Sequence, residues 1–203
     1  MAGRGLFDSL DVAGAVNSIP LSWASATKPT TRPAWMGSGA LVTGDRWYST
    51  AAADANDRWW EWNGTYWLSE NTYSSLPWNF QNNGTTQARW DDCGLRQAYD
   101  LWLVELHAAI YVAAPNSGAD VWTWGIDRVN SANTNDTIDN AGTSASVGAA
   151  TWGEIVYVPG TQYVQVNAGA GEDVRTLQLG INRGGAAGGI YGSIELRTRL
   201  VHR

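Results

Sequence analysis

The feature that most constrains this chain is the pair Asn63-Gly64, set between the aromatic runs Arg58-Trp59-Trp60-Glu61-Trp62 and Thr65-Tyr66-Trp67-Leu68. Asn and Gly both tolerate the positive φ that a type I′ turn requires, and the pair between two apolar runs is a strong hairpin signal. A two-residue loop then sets the register. Trp62 is expected opposite Thr65, Glu61 opposite Tyr66, Trp60 opposite Trp67, and Trp59 opposite Leu68. Neighbouring pairs point to opposite faces. One face therefore carries Trp60, Trp62, Thr65 and Trp67, and the other Trp59, Glu61, Tyr66 and Leu68. A lone hairpin is marginal in water, so two aromatic faces have to be covered or used.

The flanking chain divides into three expected parts. Residues 1–43 read as an N-terminal anchor followed by an extended linker. Leu6, Leu10, Ala13 and Val16 recur at helical steps that stop before Pro20. Two readings stand for this leader. It is either a terminus packed on the surface or an anchor, with Leu6, Phe7, Leu10 and Val16 seated in a neighbouring protein or a symmetry mate. Residues 23–43 have the Pro, Ser and Thr content of an extended linker, but Trp23 and Trp35 imply that it lies against a surface. Residues 44–90 form a Trp-rich hairpin module.

Residues 91–203 change to longer apolar runs separated by turn residues. The run Trp102–Val112 alternates, with Trp102, Val104, Leu106, Ala108, Ile110 and Val112 expected on one face. Helix competes there, because Ala, Leu and Glu are frequent, but Pro115-Asn116-Ser117-Gly118 follows directly and the next run is plainly β. That run, 121–129, places Trp122, Trp124 and Ile126 on one side. A polar loop is expected at 130–148, then strands at 151–158, 163–166, 174–181 and 190–201. Short strands without a crossover helix predict a mainly β fold, with a C-terminal antiparallel β-sandwich that is jelly-roll-like.

Charge and composition narrow the function. A net charge of −6, from 13 basic and 19 acidic residues, disfavours nucleic-acid binding and anionic membranes. No apolar run is long enough for a membrane-spanning helix, so no membrane insertion is expected. Cys93 is the single cysteine, which rules out an intrachain disulfide and a cysteine-based metal cluster. No nucleophile elbow, phosphate loop or zinc motif occurs. His107 reads as a half-buried strand residue. Asp91 and Asp92 could pair with Glu61, Glu105 or Glu154 in a glycosidase arrangement, and Asp127, Asn133, Asn135, Asp136 and Asp139 could hold Ca²⁺. A solvated loop explains either set as well. No catalytic residue, cofactor or metal is therefore expected. The thirteen tryptophans can fill a core or stack on sugar rings. For a glycan, the residues singled out are Trp59, Glu61 and Tyr66, one face of the hairpin with a carboxylate among the rings. The sandwich loops are the other expected recognition surface.

Gly44-Asp45-Arg46-Trp47-Tyr48 followed by Trp62-Asn63-Gly64-Thr65-Tyr66-Trp67-Leu68-Ser69 resembles a module of bacteriophage tail-fibre and other virion proteins. The runs 106–112, 121–124 and 194–200 are similar to the β-sandwich that follows that module in cyanophage and cyanobacterial proteins. Trp124-Gly125 departs from that pattern, and residues 1–43 match nothing in it. The resemblance implies a virion protein, commonly a homotrimer, and brings no catalytic residue. The expected function is a non-enzymatic short tail fibre or appendage. It would contact other virion proteins of tail, baseplate, neck or capsid through its N-terminus and a host surface glycan through its sandwich. The alternatives are a capsid decoration protein and, further off, a glycan depolymerase.

Overall fold

The structure, a computed structural model, describes residues 19–36, 39–54, 57–75, 77–82, 89–92, 100–113, 119–129, 135–148, 150–165 and 176–202. The anchor residues Leu6, Phe7, Leu10 and Val16 lie outside them. The chain is mainly β, as expected, and forms two compact units that divide at Glu70/Asn71.

The first unit contains β1 (Ser22–Ser25), β2 (Arg46–Ser49), β3 (Trp59–Trp62) and the first half of β4 (Trp67–Ser74). They pair in that order, β1 parallel to β2 and the rest antiparallel. The hairpin forms, but its turn lies one residue further along than the Asn-Gly rule places it. Trp62 faces Trp67, Glu61 faces Leu68 and Trp60 faces Ser69. The cause is the Asn63 side chain. Its Oδ1 accepts the Thr65 and Tyr66 amides at 2.9 and 2.7 Å, while the Asn63 amide donates to the Tyr66 carbonyl at 3.0 Å. Gly64, at φ 103°, becomes the first central residue of the turn. Sliding a turn by one residue shifts each partner by two, so the expected faces survive although the register does not.

One of those faces is the core of this unit. Trp23, Trp47, Trp60, Trp62 and Trp67 share it by strand parity, and four of the five are buried. Trp67 is the hub: its ring lies 5.9 Å from Trp23, 5.8 Å from Trp47 and 5.5 Å from Trp62. Trp47 also stacks on Trp60 at 6.3 Å. The segment expected as a linker supplies the cover. Part of it is strand β1, and the Trp67 indole donates to the Pro29 carbonyl at 2.9 Å. A buried ion pair ties it down. Arg32 grips Asp45 through Nε at 3.0 Å and Nη2 at 2.7 Å, and Asp45 also accepts the Leu21 and Val42 amides. Burial pushes the Asp45 carboxyl up. The Arg32 hydrogen bond and the two amides outweigh that, and its pKa falls below the ordinary value.

The second unit contains the rest of β4, then β5 (Trp78–Asn82), β6 (Arg89–Asp92), β7 (Asp100–Val112), β8 (Trp122–Val129), β9 (Asn135–Thr143), β10 (Thr151–Tyr157), β11 (Tyr163–Val164), β12 (Thr176–Arg183) and β13 (Ile190–His202). β7 and β13 pair antiparallel along most of their length. β10 and β11 follow one another along the free edge of β7, and the end of β4 and then β5 along that of β13. Between β4 and β5, at Pro77, the strand breaks, since Pro cannot donate to the ladder. Ser75 bridges the gap, donating its amide to the Leu196 carbonyl and accepting the Leu196 amide on Oγ at 2.9 Å. The second sheet runs β6-β12-β8-β9. The two inner faces make the sandwich core: Leu101, Leu103, Leu106, Ile110, Ile194 and Leu196 from one, Trp122, Trp124, Ile126, Leu177, Leu179 and Ile181 from the other.

Two further expectations need correction. β7 is a strand, but Trp102 and Val104 are not on its core face. The pairing slips between Arg197 and Thr198, where Glu105 and Leu103 are successive partners and Val104 is the extra residue. A bulge of this kind reverses parity, so Leu101 and Leu103 point inward before it and Leu106, Ala108, Ile110 and Val112 after it. The region 130–148 is also not all loop. Its Asn, Asp and Gly residues have low β propensity, yet β9 forms there by pairing with β8.

Candidate functional site

The outer face of the first sheet of the second unit carries an aromatic row across adjacent strands. Trp152 on β10 is opposite Tyr111 on β7, which is opposite Tyr191 on β13, which is opposite Gln81 on β5. The row follows from parity alone: each of these residues sits one step away from an inward residue such as Ile110 or Ile190. Tyr111 and Tyr191 stack nearly parallel, 5.0 Å apart and inclined by 9°. Trp152 tilts against Tyr111 at 5.7 Å and 59°. Trp152 is 66% exposed and Tyr191 37%, a large aromatic surface to leave in water on a regular strand.

Beside this row lies a depression of about 530 Å³. The next row of the register makes it: Asn79, Ser193 and Ala109, with small side chains at its centre. Trp152 and Tyr191 stand on one side, and the exposed amides Asn79 and Gln81 at the β5 end. Gly192 belongs to the floor and has φ 157°. A Cβ there would run into the Ala109 carbonyl and the Ile110 Cα, so β13 approaches β7 closely only because residue 192 is glycine. Small residues flanked by aromatic faces and neutral hydrogen-bonding groups suit a ligand with both apolar faces and hydroxyls.

Apart from Glu154, which is opposite Ala109, the charged groups of this sheet face lie further along it. Arg197 donates to Glu105 at 2.7 Å and to Glu195 at 3.2 Å. Glu195 also accepts the Ser74 hydroxyl at 2.8 Å. The Ser74 bond lowers the Glu195 pKa; burial opposes it, and the Arg197 hydrogen bond and charge lower it further. His107 is half-buried between Glu195 and Val156 in the register. Among the described residues no group of three or more His, Cys, Asp or Glu side chains is placed to hold a metal ion.

Of the residues singled out from sequence, Trp59 and Glu61 lie on the outer face of the first unit, and parity puts Tyr66 on that side too. Trp59 is 39% exposed. Its ring is already engaged: the Arg46 guanidinium lies 5.6 Å from its centre and Tyr48 packs against it at 5.1 Å. Arg46 in turn pairs with Glu70. The depression in the second unit was not singled out from sequence. Its signal was present in β7 and β13, where Tyr111 and Tyr191 alternate with core residues. In β10 the signal is weak, because Thr151-Trp152-Gly153-Glu154-Ile155-Val156 shows no apolar alternation.

Comparison with protein-family models finds no match, and comparison with curated proteins finds none. Among solved structures, one from the infectious bursal disease virus Gx strain aligns with 66% of this chain and 33% of its own, at 10% identity and a TM-score of 0.35. The Clostridium thermocellum xylanase 10B structure, containing CBM22-1 and GH10 modules complexed with xylohexaose, aligns with 64% of this chain and 25% of its own, at 13% identity and a TM-score of 0.32. The chain thus spans a third or less of the length of these structures. Similarity at this level assigns it to no family.

Proposed function

We propose that this chain is a non-enzymatic structural protein of a bacteriophage virion, a short tail fibre or appendage whose β-sandwich binds a host-surface glycan. The observation that carries the glycan reading is Trp152, exposed on a regular strand and held by Tyr111 beside a depression lined with neutral polar groups. An indole face stacks on the C–H face of a pyranose ring, while amides such as those of Asn79 and Gln81 exchange hydrogen bonds with its hydroxyls. The virion reading is supported by the resemblance of residues 44–48 and 62–69 to the tail-fibre module. A homotrimer belongs to the same proposal.

The test is binding of the purified full chain to a glycan array and to extracted host polysaccharide, beside a Trp152→Ala variant. The expected result is binding that the variant loses while its thermal melting is unchanged. A chain that binds no glycan, or a variant that binds as well as the parent, overturns the glycan reading. Immunogold labelling of particles addresses the virion reading. Label on tails is expected, label confined to heads would favour a decoration protein, and unlabelled particles would refute a virion role. Light scattering should give about three times the 21.9 kDa chain mass, and a monomer at micromolar concentration would refute the trimer.

A further inference from the structure

We infer that the depression takes an uncharged oligosaccharide, bound along the interior of its chain and lying across the strands, and that it rejects acidic glycans. This rests on the glycan reading above and gives it a substrate class.

Charge is the first argument. The residues lining the depression are all uncharged. The nearest charges in the strand register are carboxylates. Glu154 is paired with Ala109 on the floor, and Glu195 is one step along from Ser193. The arginine on the same face, Arg197, is held between Glu105 and Glu195. A uronic or sialic acid carboxylate would therefore enter beside two like charges, and among the described residues the nearest basic group in the register, His107, is itself opposite Glu195. A like charge nearby disfavours an ionised carboxylate. At longer range the net charge of −6 repels a polyanion. A neutral sugar meets none of these costs, and its hydroxyls match the amides and the Ser193 side chain.

Length and openness are the second argument. The residues of the site come from four neighbouring strands, in the order β10, β7, β13, β5. At a strand spacing of about 4.8 Å the site spans ~14 Å, longer than a single pyranose ring. Trp152 stands at one end, Tyr191 two strands further on, and Asn79 and Gln81 at the far end. Among the described residues no further strand pairs with β10 or β5 at this level. The row thus runs from one sheet edge to the other, and a chain can enter and leave without a terminus being bound. Two ring platforms separated by a strand suit two sugars of one chain, so a monosaccharide gains only part of the contact.

The experiment uses the full chain and affinity electrophoresis in gels containing neutral polysaccharides (mannan, xylan or mixed-linkage glucan) or acidic ones (polygalacturonate, alginate or polysialic acid), with calorimetric competition by sugars of increasing length. Retardation is expected in at least one neutral gel and in none of the acidic gels. Affinity should rise by about tenfold or more from monosaccharide to oligosaccharide, as a second stacking contact adds. Glu154→Lys, an exposed change, should admit an acidic polysaccharide, and Trp152→Ala should abolish retardation. Binding to an acidic polysaccharide that Trp152→Ala abolishes would leave the glycan reading standing and overturn this inference. So would a monosaccharide that competes as well as its oligomer. Failure to bind any glycan of either class would overturn the glycan reading and this inference with it.

Discussion

Replacing Asp45 by Asn should destabilise the first unit strongly. Asp45 is fully buried and Arg32 is 3% exposed. The carboxylate accepts four hydrogen bonds, two from Arg32 and one each from the Leu21 and Val42 amides. Asparagine has one acceptor oxygen and presents an NH₂ group to the remaining donors, so at least one donor loses its partner. It also removes the carboxylate charge that faces the buried Arg32 guanidinium. Removing one member of a buried pair costs about 3–5 kcal/mol. Urea denaturation followed by tryptophan fluorescence is a direct assay, since Trp47, Trp60 and Trp67 lie in the same unit. Arg32→Met combined with Asp45→Leu should recover only part of the loss, because the Leu21 and Val42 amides would then be orphaned at about 1–3 kcal/mol each. The pH dependence has a definite sign. The folded-state pKa of Asp45 lies below its ordinary value of 3.8. The pair's contribution is therefore fully present above that value and is lost as pH falls through the lower folded-state value. The stability gap between parent and Asp45→Asn should be constant near neutrality and close in strong acid. A loss under about 1 kcal/mol at pH 7, or a gap that widens on acidification, would refute the assignment of this pair as the tie that holds residues 19–45.

Three further outcomes follow from the same geometry. Trp47→Ala removes a fully buried ring and its hydrogen bond to the Ser25 carbonyl, and should destabilise by about 3–5 kcal/mol in the same urea assay. Trp59→Ala, 39% exposed and capped by Arg46, should cost about 1 kcal/mol or less; equal losses would show that the two faces of the hairpin are not inside and outside. Gly192→Ala should lower stability by about 2 kcal/mol or more and weaken glycan binding with it, measured by thermal melting and calorimetry, whereas Ser193→Ala should melt like the parent.

Strand existence was legible because it depends on alternation and turn residues, which are local. The runs around 102–112, 121–129 and 190–201 are strands within a residue or two of their expected bounds. What was not legible depends on contacts between distant segments. The bulge at Val104 is set by the match between β7 and β13, so a strictly alternating reading put Trp102 and Val104 on the wrong face. β9 has little propensity of its own and exists through its pairing with β8. The hairpin turn moved by one residue because the Asn63 side chain accepts two amides, a competition that the Asn-Gly rule omits. Candidate-site legibility failed for a different reason. A site assembled from one or two residues on each of four strands leaves no motif in any one of them.

The tryptophans show how one residue type divides between two roles. In the first unit the indole N–H groups of Trp47 and Trp67 donate to the carbonyls of Ser25 and Pro29. There the polar edge fixes a backbone segment while the ring fills a core. Trp152 has the opposite setting. It stands on the outer face of β10, beside Gly153 and the exposed Glu154, and its ring is steadied by Tyr111, itself stacked on Tyr191. Rings ordered in advance lose little conformational freedom when a ligand arrives, so more of the stacking energy remains as affinity. That suits the proposed recognition surface, because Tyr111 and Tyr191 are held by the same β7–β13 ladder that holds the core.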